Sequence, residues 1–193
     1  MAFYPVAFEY SDEVFAFETE NLRLAVLKKS AYRKVLDYVV RNREFHKKFS
    51  QPHPDSYFTA ASQKYYIDCE VRDYKYGKLI PLWISRKDQR DEIIGRVSFF
   101  NIAMGGMMLA QIGYHLDEKC QGQGIMTEAV KGACEIVFEN LNLHRIEAFI
   151  LPENQRSIDL IRRCGFVYEG TRYSYMNIDG KFRDHETFYL LRG

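Results

Sequence analysis

The chain has no apolar run long enough to cross a bilayer. Its longest, Phe99–Ala110, is interrupted by Asn101 and by Gly105-Gly106 and falls short of the roughly 20 residues a spanning helix needs. An excess of charge is missing too. Lys and Arg number 27 against 26 Asp and Glu, a formal charge of +1, which excludes a wholesale polyanion binder and leaves room only for a local basic face. Cys69, Cys120, Cys134 and Cys164 form no CxxC pair, and no histidine lies at finger spacing, so zinc-ribbon and thioredoxin chemistries are excluded. Met1–Ser11 lacks the basic and apolar segments of a secretory leader, which with the scattered thiols predicts a reducing cytoplasm and no structural disulfide. Neither GxxxxGK[ST] nor a complete GxGxxG occurs.

What is present suffices for one core: 193 residues, 47% hydrophobic and 15% aromatic. Residues 1–20 mix Phe and Tyr with five acids and no Lys or Arg, and read as an acidic aromatic arm ahead of a single domain, 21–193. Leu22–Val26 alternates like a strand; Ser30 stands where it would cap a helix ending near Asn42, and a second helix runs from Thr59 to Tyr76. The period then shortens to two over Leu79–Ser85, Glu92–Asn101 and Met108–Leu116, predicting an antiparallel meander. A long helix over Gly124–Leu141, a strand over Arg145–Leu151, a helix over Asn154–Cys164 and a hairpin turning at Asp179-Gly180 complete an α+β, mixed α/β order without internal repeats. Lys28, Lys29, Arg33, Lys34, Arg41, Arg43, Lys47 and Lys48 make a basic strip on and after the first helix, either a docking face or a solvated surface covered by the arm.

Two segments carry chemical meaning. In the first, a strand ending at Tyr114-His115-Leu116 runs into Gln121-Gly122-Gln123-Gly124 and opens a helix at Ile125, Met126 and Thr127. Free N–H groups at a helix start favour an anion, and glycines let a phosphate approach the backbone; an ordinary strand-to-helix turn has the same look. In the second, Asn154 stands where a strand gives way to a helix, which suits an N-cap, with Ser157 one turn further on.

Together these segments resemble the GNAT superfamily of acyl-CoA-dependent N-acyltransferases, in its ribosomal-protein-alanine (RimJ/RimL-type) branch. The family loop Q/R-x-x-G-x-G/A matches Gln121 and Gly124, with Met126 in the last position as in the Rim branch. Further matches are Arg41-Asn42-Arg43, Ile94-Gly95, Ile112-Gly113-Tyr114, Leu143-His144-Arg145-Ile146, Asn154-x-Arg156-Ser157, Gly165-Phe166 and Asp179-Gly180-Lys181-x-Arg183-Asp184-His185, and the likeness covers roughly residues 20 to 191. The resemblance implies a mostly antiparallel twisted sheet whose central strands diverge, with flanking helices. It also implies acetyl-CoA as cosubstrate and no metal. Tyr114, His115 and Leu116 would hold the acetyl and pantetheine amides through backbone groups, Gln121, Gly122, Gln123, Gly124, Ile125, Met126 and Thr127 the pyrophosphate, and Asn154 the pantetheine arm or the acceptor amide.

Amide transfer from a thioester needs a neutral amine and a proton for the leaving thiolate. The family's usual acid, a Tyr seven residues after the Asn, is Ile161 here, so the resemblance shifts that role to Ser157. Both familiar bases are replaced, by Phe149 and Met176, leaving His115 as the first candidate base and Glu147 and His185 as weaker ones. Cys120 is expected to pack rather than accept the acyl group. An α-amine is about 300-fold more deprotonated at neutral pH than a lysine, which favours a protein N-terminus as acceptor. The expected partner is a protein N-terminal amine, on a ribosomal protein by resemblance, with no nucleic acid or membrane and a monomer or homodimer as the assembly. A small-molecule amine acetyltransferase and a ribosome-associated binding factor with low turnover remain as alternatives.

Overall fold

In the computed structural model, which describes residues 12–47 and 52–193, eight strands form one sheet flanked by helices on both faces. The strands are β1 (Glu13–Glu18), β2 (Leu22–Leu27), β3 (Ile80–Arg86), β4 (Gly95–Ala103), β5 (Leu109–Leu116), β6 (Arg145–Ile150), β7 (Val167–Ile178) and β8 (Lys181–Leu191). Their spatial order is β1-β2-β3-β4-β5-β6-β8-β7, and every adjacent pair is antiparallel except β5–β6, which is parallel. The helices are α1 (Tyr32–Arg41), α2 (Arg43–His46), α3 (Ala60–Lys75), α4 (Ile125–Leu141) and α5 (Gln155–Arg163).

β2 is buried at every position because the alternation of a strand sends Leu22, Leu24 and Val26 into one core and Ala25 and Leu27 into the other. The first core holds the apolar stripe of α4, with Ala129, Val130, Ala133 and Val137 fully buried against β2, β4 and β5. The second packs Val35 and Tyr38 of α1 and Ile67 of α3 onto Trp83. The Asp179-Gly180 turn closes the β7–β8 hairpin with positive φ at both residues, the conformation Asp-Gly favours.

Two expectations change. Six residues of the predicted arm are part of the sheet: β1 buries Phe15 and Phe17, and Glu13 and Glu18 clamp the buried Arg23 of β2. The remainder of the arm, residues 1–11, lies outside the described residues. Ser30 caps nothing; it sits in a short turn of 3-10 helix over Lys29–Ala31, and α1 begins after it. Thr59, by contrast, does cap α3, its hydroxyl accepting from the Ser62 amide.

The β1–β2 turn is locked onto α4. Glu128 accepts from the Thr19 hydroxyl at 2.5 Å and from the Asn21 amide at 2.7 Å, and Gly132 lies so close that an added Cβ would stand 2.5 Å from the Thr19 methyl. Gly132→Val is therefore expected to lower stability by about 1–3 kcal/mol. In Gly132→Ala combined with Thr19→Ser the obstructing methyl is gone, and the roughly 1 kcal/mol helix preference of alanine returns stability to wild type or above, read from urea midpoints.

Candidate active site

The site begins where two strands part. The β5–β6 ladder runs from Leu109/Arg145 to Ile112/Ala148 and stops, so Gly113–Leu116 keep β4 on one side but have no strand on the other. A cavity of about 920 Å³ fills the gap, walled by α1, α2 and the 52–58 segment on one side and by β6, the start of α5 and His185 of β8 on the other. Tyr114 and His115 line it. The Leu116 carbonyl does not await a ligand, since it already accepts from His46 Nε2 at 3.0 Å and Gln121 Nε2 at 3.2 Å.

Beyond β5 the chain makes the predicted loop. Gly122 and Gly124 take φ of +73° and +78°, a left-handed conformation in which other residues are strained, and no atom lies within 4 Å of the space a Cβ would occupy. Gly124 caps α4 without a side chain. Its carbonyl accepts the first helical bond, from Glu128, and the preceding N–H groups of Ile125, Met126 and Thr127 belong to the unpaired first turn that favours an anion. The side chains of Ile125 and Met126 are buried, so these residues offer the loop only backbone. Gln121 and Gln123 brace rather than face the loop. Gln121 Nε2 donates to the Leu116 and Asp117 carbonyls and its Oε1 accepts from Arg156 at 3.1 Å; Gln123 bonds the Lys119 carbonyl and accepts from Arg86 at 2.8 Å. Two guanidinium groups to which the sequence reading gave no role are thereby stationed beside the glycine loop.

At the other end of the gap, Asn154 caps α5: its Oδ1 accepts from the Ser157 amide at 3.2 Å. Ser157 Oγ lies 2.7 Å from the Tyr114 hydroxyl, which also reaches the Ser157 carbonyl at 3.3 Å. Burial pushes the Tyr114 phenol well above its ordinary range, so it stays a proton donor. The pair spans 43 residues of sequence, and only the adjacency of β5 to α5 reveals it.

The other wall is aromatic and histidine-rich. His115 stacks on Tyr38 with ring centroids 5.5 Å apart, and its Nδ1 lies 2.7 Å from the Tyr38 hydroxyl, which is fully buried. Burial first, then His46 and Arg96, hold its pKa well below the usual histidine range, so the ring stays neutral at physiological pH with one nitrogen already engaged. That arrangement positions His115 between Tyr38, His46 and Trp83 and does not suit the base role expected of it. Glu147 lies where β5 and β6 are still paired, opposite Gln111, and is tied to Arg145 at 2.8 Å. His185 does line the gap. Burial and Asp117 push the Cys120 thiol up, which leaves little thiolate and fits the packing role.

The basic strip is partly neutralised: Lys29 pairs with Asp68, Lys34 with Asp12, Arg43 with Asp55, and Arg41 with Asp37 and Asp117. Lys48 lies outside the described residues. Buried Asp117 is held below the usual carboxylate range because Asn42, Arg41 and the Lys119 amide outweigh its burial. It thus ties α1 to the loop entrance.

Residues 21–167 match the family described as the acetyltransferase (GNAT) domain. The chain is 36% identical over 154 residues to the probable N-acetyltransferase YjcK of Bacillus subtilis, covering 78% of this chain and 82% of that one. It is 32% identical over 152 residues to the [ribosomal protein uS5]-alanine N-acetyltransferase of Escherichia coli, covering 79% and 78%. Among solved structures, the ribosomal-protein-S5-alanine acetyltransferase of Vibrio fischeri superposes with a TM-score of 0.85 at 30% identity over 91% of this chain and 96% of that one. With the parted strands, the glycine loop and these matches in agreement, the chain belongs to the GNAT family of N-acetyltransferases.

Proposed function

We propose that this protein transfers the acetyl group of acetyl-CoA to the N-terminal α-amine of a protein, an alanine of a ribosomal protein being the acceptor named for its Escherichia coli relative. The Tyr114–Ser157 hydrogen bond at the mouth of the β5–β6 gap carries the reading, because it supplies a proton donor at the place where a thioester laid along β5 would end. In this scheme the backbone of Gly122–Thr127 holds the pyrophosphate, helped by Arg86 and Arg156, and the unpaired edge of Gly113–His115 takes the pantetheine amides. Acetyl-CoA supplies an activated acyl carbon and a thiolate leaving group. Ser157 Oγ–H donates to that thiolate, and the Tyr114 hydroxyl, kept protonated by burial, donates to Ser157 Oγ in turn.

The acceptor wall favours a peptide amine over a polyamine. Among the described residues, Glu153 is the one carboxylate lining the cavity, and Arg183 holds it at 2.5 Å; the facing wall carries Arg43 and Lys47 among Phe45, His46, His53, Tyr57 and Phe58. A multiply charged amine would find no unpaired anion there, whereas a single neutral α-amine with a small side chain needs none.

Purified protein is expected to acetylate a peptide beginning with alanine at its α-amine, mapped by fragmentation mass spectrometry, and to leave spermidine and an N-blocked, lysine-containing peptide unmodified. Preference for spermidine or free small amines would overturn the acceptor assignment. Ser157→Ala is expected to lower kcat roughly 100-fold and Tyr114→Phe by a smaller factor, each with little change in KM for acetyl-CoA; wild-type kcat in Ser157→Ala would remove it from the chemistry. Gly124→Asp puts a side chain and a negative charge at a left-handed position facing the phosphates. It is expected to abolish acetyl-CoA binding by calorimetry in a protein that still folds, its melting temperature lowered by about a few degrees by the left-handed strain.

A further inference from the structure

Of the histidines around the cavity, three are committed elsewhere. His115 is held by Tyr38, His46 donates Nε2–H to the Leu116 carbonyl and packs on His115, and His53 lies flat on Tyr57 at the rim with ring centroids 3.9 Å apart. His185 is different. It is 3% exposed, yet it lines the cavity, and its Nδ1 lies 3.1 Å from the Arg183 carbonyl. A carbonyl only accepts, so Nδ1 carries the proton, and in the neutral ring the lone pair is left on Nε2. Nε2 has no protein partner among the described residues. It is also not sealed from solvent, since the buried side-chain atoms lacking a partner there are Arg96 Nε and Thr187 Oγ1 alone.

Register places that lone pair. Phe149 of β6 pairs with Thr187 of β8, so the two share a face, and His185, two residues before Thr187, points the same way. Phe149 lines the cavity, and Tyr175 links it to His185, with centroids 4.9 Å from Phe149 and 5.8 Å from His185. Among the described residues, the one carboxylate lining the cavity with His185 is Glu153, which is paired with Arg183. Across the β7–β8 ladder stands Arg172, whose guanidinium lies over Phe149 and Tyr175; Arg183 is tied to Glu153; and Asp184 accepts from the Ser174 amide.

We infer that His185 is the general base of the reaction, taking a proton at Nε2 from the attacking amine directly or through one water. The proposal rests on the acetyltransferase reading. As the C–N bond forms and the C–S bond breaks, the amine nitrogen gives one proton to His185 Nε2, which returns it to solvent, and the thiolate takes one from Ser157, which solvent replaces. Reactants and products then differ by the acetyl group alone.

His185→Asn tests this, because its side-chain amide restores an N–H close to Nδ1 while removing the base. With any amine the wild type accepts, kcat is expected to fall roughly 100-fold, with KM for acetyl-CoA within about twofold. In His185→Ala, added imidazole is expected to restore activity several-fold, which a purely structural role would not permit. Nitrogen-15 spectra of the wild-type ring are expected to show a protonated Nδ1 and an unprotonated Nε2, independently of turnover. Wild-type kcat in the Asn variant, no imidazole rescue in a folded Ala variant, or an Nε2–H tautomer would each overturn the assignment. A wild-type protein that acetylates no amine would overturn the acetyltransferase reading along with it, whereas an active wild type with an equally active Asn variant overturns His185 alone.

Discussion

The end of the β5–β6 ladder at Ile112/Ala148 is the constraint on which the rest of the structure depends. Two parallel strands that stayed paired would bury their edges in each other and leave no polar slot. Because they part, the backbone groups of Gly113–His115 face a cavity instead of a neighbouring strand, and unmet backbone polarity is what an extended, amide-bearing arm can satisfy. The parting is held open from both sides. α4 packs its stripe beneath β5 on one face, Tyr38 and Trp83 support His115 on the other, and the first turn of α5, capped by Asn154, begins where β6 ends.

Electrostatics follow the same axis. The first turn of α4, with Arg86 and Arg156 alongside, gives one end of the gap a positive character suited to phosphates. The far end carries little unpaired charge of negative sign, with aromatic rings, the neutral His115 imidazole and Glu153 already paired with Arg183. An elongated ligand with an anionic head and an uncharged reactive tip fits that gradient in one orientation. The Tyr114–Ser157 pair lies toward that end, and in the proposed scheme low polarity there would strengthen its hydrogen bond to a developing thiolate.

Much of this was legible in the sequence wherever a local signal existed. The stripe of α4, the left-handed Gly122 and Gly124, the Asn154 cap and the Asp179-Gly180 hairpin each follow from neighbours a few residues away, and the element order came out as read, apart from β1 and the one-turn α2. The misses share one cause, a partner distant in sequence. β1 looked like an arm because its acids seemed solvated, when they neutralise Arg23. The side chains of Gln121 and Gln123 are taken by Arg156 and Arg86, 35 and 37 residues away, which nothing local shows. His115 drew attention by standing on the central strand, and what limits it is the buried hydroxyl of Tyr38, 77 residues away.

The most direct measurement of the central claim is a crystal structure of the protein with acetyl-CoA. The account predicts the pantetheine arm between β5 and β6, the pyrophosphate on the N–H groups of Gly122–Thr127, and the thioester sulfur within hydrogen-bond reach of Ser157 Oγ. A thioester lying away from Ser157, or a cofactor bound outside the β5–β6 gap, would contradict it.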